Sequence, residues 1–232
     1  MKKTASLLLA VLVCLPAFQP PSLAAGRLSV VQENQYVVFK YDRWYSYYFA
    51  KVENSGNRPV SLYEIQFEYF DAGGDVLASE RSIGSQELAP GEYAYLVQRA
   101  QAASPEDAGE WQLTVLGRSR RSDMIRLDCG AEFLENVQDG YYVFHYVLVS
   151  LTNDTAFALD HIDVYIALLD GEGNLLYAAK NDVDGVLPPG AGTTIRVRVD
   201  PAFARYMEEH HLTVDAADAV VFAEFSASDD EI

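Results

Sequence analysis

The stretch Asn54–Gly91, NSGNRPVSLYEIQFEYFDAGGDVLASERSIGSQELAPG, decides the fold because it occurs twice. Asn153–Gly190, NDTAFALDHIDVYIALLDGEGNLLYAAKNDVDGVLPPG, lies 99 positions later and aligns with it without a gap. Asn, Asp, Gly and Pro recur where turns are expected, which is what a β-domain retains after duplication. A period of about 100 residues is that of a whole domain rather than of a solenoid repeat.

Each copy contains a strand of alternating polarity. In the first copy Glu64–Tyr69 alternates polar and apolar side chains, and Asp163–Leu168 has the same phase in the second. Period two predicts one face buried in a core and one face in solvent, with Phe67 and Ile166 at the centre of the buried face. The Asp-Gly turns that follow each strand predict a hairpin in each copy. The overlay continues into the last strand, where Leu113–Val115 returns as Leu212–Val214.

The segment Phe67–Asp71 (FEYFD) resembles the signature of the FxLYD domains. The order around it is also similar, with AKVEN at Ala50–Asn54 and LAPG at Leu88–Gly91. The second copy departs from the signature, with IALLD at Ile166–Asp170. The resemblance implies an immunoglobulin-like β-sandwich in an exported prokaryotic protein. It brings no catalytic residues and no settled ligand.

We therefore predict an all-β protein made of two tandem immunoglobulin-like β-sandwich domains related by internal duplication. The first domain takes residues 27–116, the linker 117–123, the second domain 124–226 and a polar tail 227–232. Two cap-Pro pairs, Ser104-Pro105 and Asp200-Pro201, each predict one short helical turn before the last strands.

The first 24 residues have the pattern of a signal peptide. Lys2 and Lys3 precede an apolar run at 5–15 that is too short to span a bilayer, and small residues follow at 22–24. Cys14 leaves a lipoprotein as the alternative. We expect an exported protein, located outside the cell, in the envelope or in the periplasm, with no membrane insertion after the signal is removed.

The net charge limits the classes of ligand, and the cysteine content limits how the domains are stabilised. The net charge is −17, which disfavours nucleic acid and anionic lipid as ligands. Beyond the signal peptide one cysteine remains, Cys129, so we predict no internal disulfide and two sandwiches held by apolar cores. Cys129 is either a small buried hydrophobe or an intermolecular thiol.

The sequence contains no clear pattern of catalytic, metal-binding or cofactor-binding residues. The four histidines (145, 161, 210 and 211) do not recur between the copies, and we predict that they lie at the surface. Asp170–Asn174 and Asn181–Gly185 are faintly similar to calcium loops, but neither completes the ligand pattern, so we predict ordinary turns. We predict no catalytic residues, no metal site and no cofactor, since no nucleophile motif, phosphate loop or metal-spaced cluster is present.

The candidate functional residues form an outward stripe on one strand of each copy. If Tyr48, Ala50 and Val52 point inward, their neighbours point outward and are still apolar. These outward residues are Tyr45, Tyr47 and Phe49 in the first copy, and Phe144, Tyr146 and Leu148 in the second. The domain's own chain (Tyr36–Tyr41), a domain or subunit contact, or a sugar stacking on aromatic rings could cover them.

We therefore predict an exported, non-enzymatic binding or assembly module whose partner is a protein or a second copy, with carbohydrate as a weaker alternative. The rival hypothesis is an enzyme or enzyme subunit with a site at the domain junction. A junction cleft with two close carboxylates or a His–carboxylate pair would favour the enzyme, and a flat apolar patch would favour binding. A structural spacer or calcium-binding module is the third alternative.

Overall fold

The computed structural model describes residues 27–71, 73–82, 84, 86–102, 109–118 and 124–226. The predicted signal peptide, the tail 227–232 and the predicted turn at Ser104-Pro105 lie outside these residues. In the first half the strands are β1 (Leu28–Lys40), β2 (Arg43–Asn54), β3 (Val60–Phe70), β4 (Val76–Ser82), β5 (Glu87–Leu88), β6 (Tyr93–Ala102) and β7 (Glu110–Arg118). In the second half they are β8 (Met124–Leu127), β9 (Cys129–Asp139), β10 (Tyr142–Thr152), β11 (Leu159–Leu169), β12 (Leu175–Val183) and β13 (Gly192–Arg198), followed by helix α1 (Pro201–Glu209) and β14 (Ala216–Phe225).

Each half folds into two sheets whose shared strands pair in the same order, and β8 is an additional strand in the second half. In the first half β1, β2 and β6 form sheet A, and β3 pairs with β4, β5 and β7 in sheet B. In the second half β13, β10 and β9 form sheet D, and β12, β11, β14 and β8 form sheet C. The predicted fold class is confirmed: the protein is all-β, with two tandem immunoglobulin-like β-sandwiches related by duplication. Strand β7 continues to Arg118, two residues past the predicted end of the first domain, and most of the predicted linker lies outside the described residues.

The repeated asparagines fix the same turn in both copies. The side-chain amide of Asn54 donates to the carbonyls of Arg58 and Leu88, each at 2.8 Å. Asn153 makes the equivalent bonds to Phe157 at 2.8 Å and Leu187 at 2.9 Å. Both asparagines are fully buried, so each must satisfy its amide with these backbone carbonyls.

The alignment of the last strand was wrong. Phe67 on β3 pairs with Leu113 on β7, whereas Ile166 on β11 pairs with Ala219 on β14. The partner of Leu113 is therefore seven positions beyond Leu212, and Leu212–Val214 lies in the loop before β14. Helix α1 makes the connection before the last strand longer in the second copy than in the first. The paired strands therefore align differently from the identical residues Leu-Thr-Val in the two copies.

The predicted strand phase is confirmed, but one predicted solvated face is wrong. Phe67 is 5% exposed and Ile166 is fully buried, and Tyr48 packs on Phe67 with ring centroids 6.0 Å apart. On β11 the opposite face is also buried, with Tyr165 8% exposed and Ala167 fully buried, and Tyr165 accepts a hydrogen bond of 2.9 Å from Gln86 of the first sandwich.

Helix α1 begins where the cap-Pro pair predicts but is longer than one turn. Asp200 accepts a hydrogen bond from the backbone N–H of Ala202 at 2.9 Å, and Pro201 occupies the first helical position. The buried residues of the helix are Phe203 and Met207. Within the described part of the chain, no helix has the length and apolar character needed to cross a membrane.

Candidate interaction surface

The first aromatic stripe lies at the junction between the two sandwiches. Phe49 is 1% exposed, and its ring centroid lies 5.3 Å from that of Tyr177 on β12 and 6.4 Å from that of Phe203 on α1. Tyr36 on the neighbouring strand β1 adds a ring 5.8 Å away. The outer face of sheet A therefore packs on the second sandwich, and part of the predicted cover from Tyr36–Tyr41 is also present.

Asp200 connects this junction to the helix cap. Its carboxylate lies 2.6 Å from the ammonium of Lys40 and accepts a longer bond of 3.4 Å from the hydroxyl of Tyr47. Burial lowers the pKa of Lys40, but the hydrogen bond and the charge attraction to Asp200, with smaller contributions from Tyr47 and Tyr41, together raise that pKa above its usual value. One carboxylate thus caps α1 and holds the end of β1 beside it.

A second carboxylate, Asp218, anchors strand β6. Tyr93 and Tyr95 each donate a hydrogen bond of 2.6 Å to it. Burial and the bond to Asp218 raise the pKa of Tyr93 to about 12 and raise the pKa of Tyr95 further. Arg126 donates to the backbone carbonyl of Tyr93 at 2.8 Å. Apolar rings and charge-assisted bonds together make this junction specific.

Arginines of its own sheet cover the second stripe. The guanidinium of Arg196 lies 3.6 Å from the ring centroid of Tyr146, whose hydroxyl donates to Asp139 at 2.8 Å. Arg198 lies 4.9 Å from the ring centroid of Phe144. Leu148 stays half-buried beside them. These contacts leave the second stripe at the molecular surface under a polar layer.

The first copy repeats one of these contacts. Arg99 lies 5.6 Å from the ring centroid of Tyr45, at the position that corresponds to Arg198 over Phe144. Tyr45 and Tyr47 remain partly exposed, whereas Phe49 does not. The six candidate residues therefore do not form one site, because the first stripe runs into the junction and the second lies on sheet D.

The most exposed aromatic residues are at the hairpin tips instead. Tyr141, between β9 and β10, is 99% exposed, Tyr142, the first residue of β10, is 68% exposed, and Tyr41, between β1 and β2, is 78% exposed. Both hairpins reach the start of α1, because Lys40 binds Asp200 and the backbone N–H of Val199 donates to the backbone carbonyl of His145 on β10 at 3.0 Å. We call this face, with Phe39, Tyr41, Tyr141, Tyr142 and Val143, the hairpin end.

A cavity of about 770 Å³ opens at the hairpin end between α1 and the β9–β10 hairpin. His145 lines it, and its Nδ1 accepts from the backbone N–H of Asn136 at 3.2 Å, which leaves Nε2 as the donor of the neutral ring. The lining of the cavity includes both apolar and charged side chains, among them Phe133, Met207, Leu212, Glu135, Arg205 and Glu208. The cavity can hold a small ligand with both an apolar body and hydrogen-bonding groups.

A smaller cavity of about 370 Å³ lies at the junction. Leu62 and Phe67 of the first sandwich and Asp163, Tyr165 and Lys180 of the second line it. The ammonium of Lys180 lies 3.1 Å from Asp163 and 2.6 Å from Asp182. Burial raises the pKa of the Asp163 carboxyl, and the hydrogen bond from Lys180 lowers the pKa of Asp182. Two close carboxylates with a lysine between them are therefore present, but Asp163 lines the cavity whereas Asp182 is exposed outside it.

The strand pattern in the sequence pointed to the two aromatic stripes and not to the hairpin tips. The available signal was DGYY at Asp139–Tyr142, where Gly140 adopts a φ of +63° and two tyrosines follow the turn. A turn that exposes its neighbours to solvent should carry polar residues, so consecutive tyrosines there were informative.

The remaining candidates have ordinary roles. Asp170 closes its own turn by accepting from the N–H groups of Glu172 and Asn174, as predicted. Asn181–Val183 belongs to β12, so the turn predicted there was wrong for those residues.

The cysteine is half-buried. Cys129 is free, its thiol lies 3.4 Å from the carbonyl of Ala219, and burial raises the pKa of the thiol. His210 and His211 lie exposed after α1.

Comparisons with known proteins place the chain in no family. No protein-family model matches it, and no curated protein matches it. Among solved structures it is similar to red sea bream transglutaminase, with 12% identity and a TM-score of 0.23 over 75% of this chain and 27% of that one. It is also similar to the C-terminal globular domain of an oligosaccharyltransferase from Pyrococcus abyssi, with 7% identity and a TM-score of 0.21 over 86% of this chain and 47% of that one. The chain thus spans less than half the length of either structure.

Proposed function

We propose that the protein is an exported, non-enzymatic binding or assembly module that engages a protein partner, or a second copy of itself, through the hairpin end. The exposed aromatic residues at the two hairpin tips carry this proposal. Large apolar side chains left in water cost about 25 cal/mol per Å² of apolar surface, and a partner that covers them recovers that energy. Tyrosine is enriched in protein interfaces because its ring is apolar and its hydroxyl hydrogen-bonds.

The junction supports this proposal because it gives the two hairpins a fixed relative position. Asp200 and Asp218 hold the first sandwich on the second with charge-assisted hydrogen bonds. A partner that contacts both tips therefore meets a preorganised surface and loses little binding energy to ordering it.

A photocrosslinking amino acid placed at Tyr141 tests the proposal in the cells that make this protein. We expect crosslinked adducts from position 141 and none from Val186, an apolar and 59% exposed position in the connection between β12 and β13. Adducts in the purified protein would identify a second copy as the partner. Equal adduct yields at both positions, or none at either, would remove the hairpin end as a binding surface.

Export belongs to the same proposal and has its own measurement. The signal-peptide pattern at residues 1–24 supports it. Fractionation followed by mass spectrometry of the N-terminus should find the chain outside the cytoplasm and starting near residue 25. A chain found only in the cytoplasm with Met1 or Lys2 at its start would contradict export.

The enzyme hypothesis keeps one observation in its favour, the Asp163–Lys180–Asp182 group at the junction cavity. A carboxyl whose pKa burial raises, beside an amine, is a common arrangement for proton transfer. Incubation of the wild type and of Asp163→Asn with a metabolite extract, followed by mass spectrometry, tests it. A compound consumed by the wild type and not by the variant would favour an enzyme.

A further inference from the structure

We infer that Asp160, His161 and Glu224 form a site for a divalent transition-metal ion such as Zn²⁺. One ligand atom from each residue lies within 4.8 Å of the other two, and this group is on the surface of the second sandwich. The histidine Nδ1 already lies 2.9 Å from a carboxylate oxygen of Asp160. No metal-ligand spacing in the sequence shows the group, because Glu224 is on β14 and the other two are on β11.

Strand pairing places the two carboxylates opposite each other. Asp160 and Glu224 are direct cross-strand partners on β11 and β14. Like charges at such positions destabilise a sheet, and a bound cation would offset that cost. At the equivalent pair of the first sandwich, Ser61 faces Arg118, so the charge conflict is absent there.

A β-bulge supplies the third ligand. In both copies two residues on the central strand oppose one on its neighbour, Leu62 and Tyr63 in the first and His161 and Ile162 in the second. In the first copy the earlier bulge residue, Leu62, is buried, whereas in the second copy the later one, Ile162, takes the core position. His161 adopts a φ of +46°, which turns its ring outward to the two carboxylates.

The donor set selects the class of ion. One imidazole nitrogen and two carboxylate oxygens suit zinc and its neighbours in the first transition row, whereas calcium prefers oxygen ligands alone. Ligand atoms bound to zinc at about 2.0–2.2 Å are at most ~4.4 Å apart, so slight rotations of exposed side chains would complete three bonds. Water would occupy the remaining position, because His161 is on the surface.

Calorimetric titration of ZnCl₂ into the tag-free chain tests the inference. We expect one zinc ion per chain, and a zinc affinity at least about tenfold weaker in His161→Asn and in Glu224→Gln. Asparagine tolerates the positive φ at position 161, so this variant removes the imidazole while keeping the bulge. The double variant His210→Ala, His211→Ala should bind zinc as the wild type does.

Two results would overturn the inference. One is a zinc affinity that depends on the wrong residues, either unchanged by both site variants or lost in the double histidine variant. The other is equal binding of CaCl₂ and ZnCl₂, since attraction of any divalent cation to the acidic surface would then account for the heat. Neither result bears on the hairpin end, where crosslinking is the measurement.

Discussion

The hydroxyl of Tyr95 donates a 2.6 Å hydrogen bond to the carboxylate of Asp218, which joins the first sandwich to the second. Tyr95 is fully buried, so this carboxylate is the acceptor that its hydroxyl needs. The contact couples the stability of the two halves.

Asp218→Ala leaves the hydroxyls of Tyr93 and Tyr95 without their acceptor. We expect a loss of about 1–3 kcal/mol in the free energy of unfolding, because a buried donor then stays unsatisfied. Urea denaturation measures it. The exposed residue Asp154 is the control, and its change to alanine should cost less than about 0.5 kcal/mol. Equal costs would mean that the bond to Asp218 adds nothing.

Phe67→Ala should destabilise the first sandwich by about 3–5 kcal/mol, because the side chain is 5% exposed and packs between Tyr48 and Trp111. Glu68→Ala, one residue further and on the opposite face, should cost less than about 0.5 kcal/mol. Both values come from denaturant melts. If Glu68→Ala were as costly as Phe67→Ala, the strand phase would be wrong.

Phe49→Ala tests whether the first stripe belongs to the junction. Loss of its packing on Tyr177 and Phe203 should cost about 3–5 kcal/mol and lower the melting temperature. The corresponding residue of the second copy, Leu148, is half-buried on sheet D, so Leu148→Ala should cost clearly less. A melting temperature unaffected by Phe49→Ala would place the ring outside the junction.

Alkaline pH should weaken the junction. The folded chain holds the pKa of Tyr93 near 12, above the ordinary value of 10.0, so the folded state keeps its proton when the unfolded chain loses it. The stabilisation is complete below about pH 10 and is lost as the pH rises towards 12. Free energies of unfolding measured from pH 9 upward should therefore fall, and less steeply in Tyr93→Phe. A flat profile in the wild type would contradict the raised pKa.

Local rules predict the parts of the fold that depend on neighbours in sequence. Phe67 and Ile166 are buried because alternation along a strand assigns every second residue to one face. The repeated Asn-to-Gly and Asp-to-Gly spacings place the same turns in both copies. Asp200-Pro201 likewise starts a helix because the cap and the fixed φ of proline act within one turn.

The candidate site depended on contacts between residues far apart in sequence. Alternation shows that Phe49 and Tyr165 point away from their own cores, but it does not show what covers them. The tertiary structure packs Phe49 on Tyr177 and Phe203, and it buries Tyr165 beneath the first sandwich.

The sequence by itself determined the duplication, the strand phase and the turns, because each rests on backbone geometry over a few residues. Only the tertiary structure decided the register of β14. Ile166 pairs with Ala219, so the residues Leu-Thr-Val that are identical in the two copies do not occupy equivalent positions. It also decided which residues stay exposed at the hairpin end, and that Glu224 meets His161. Pairing and docking join residues that are distant along the chain, and their energies depend on whole faces rather than on local pattern.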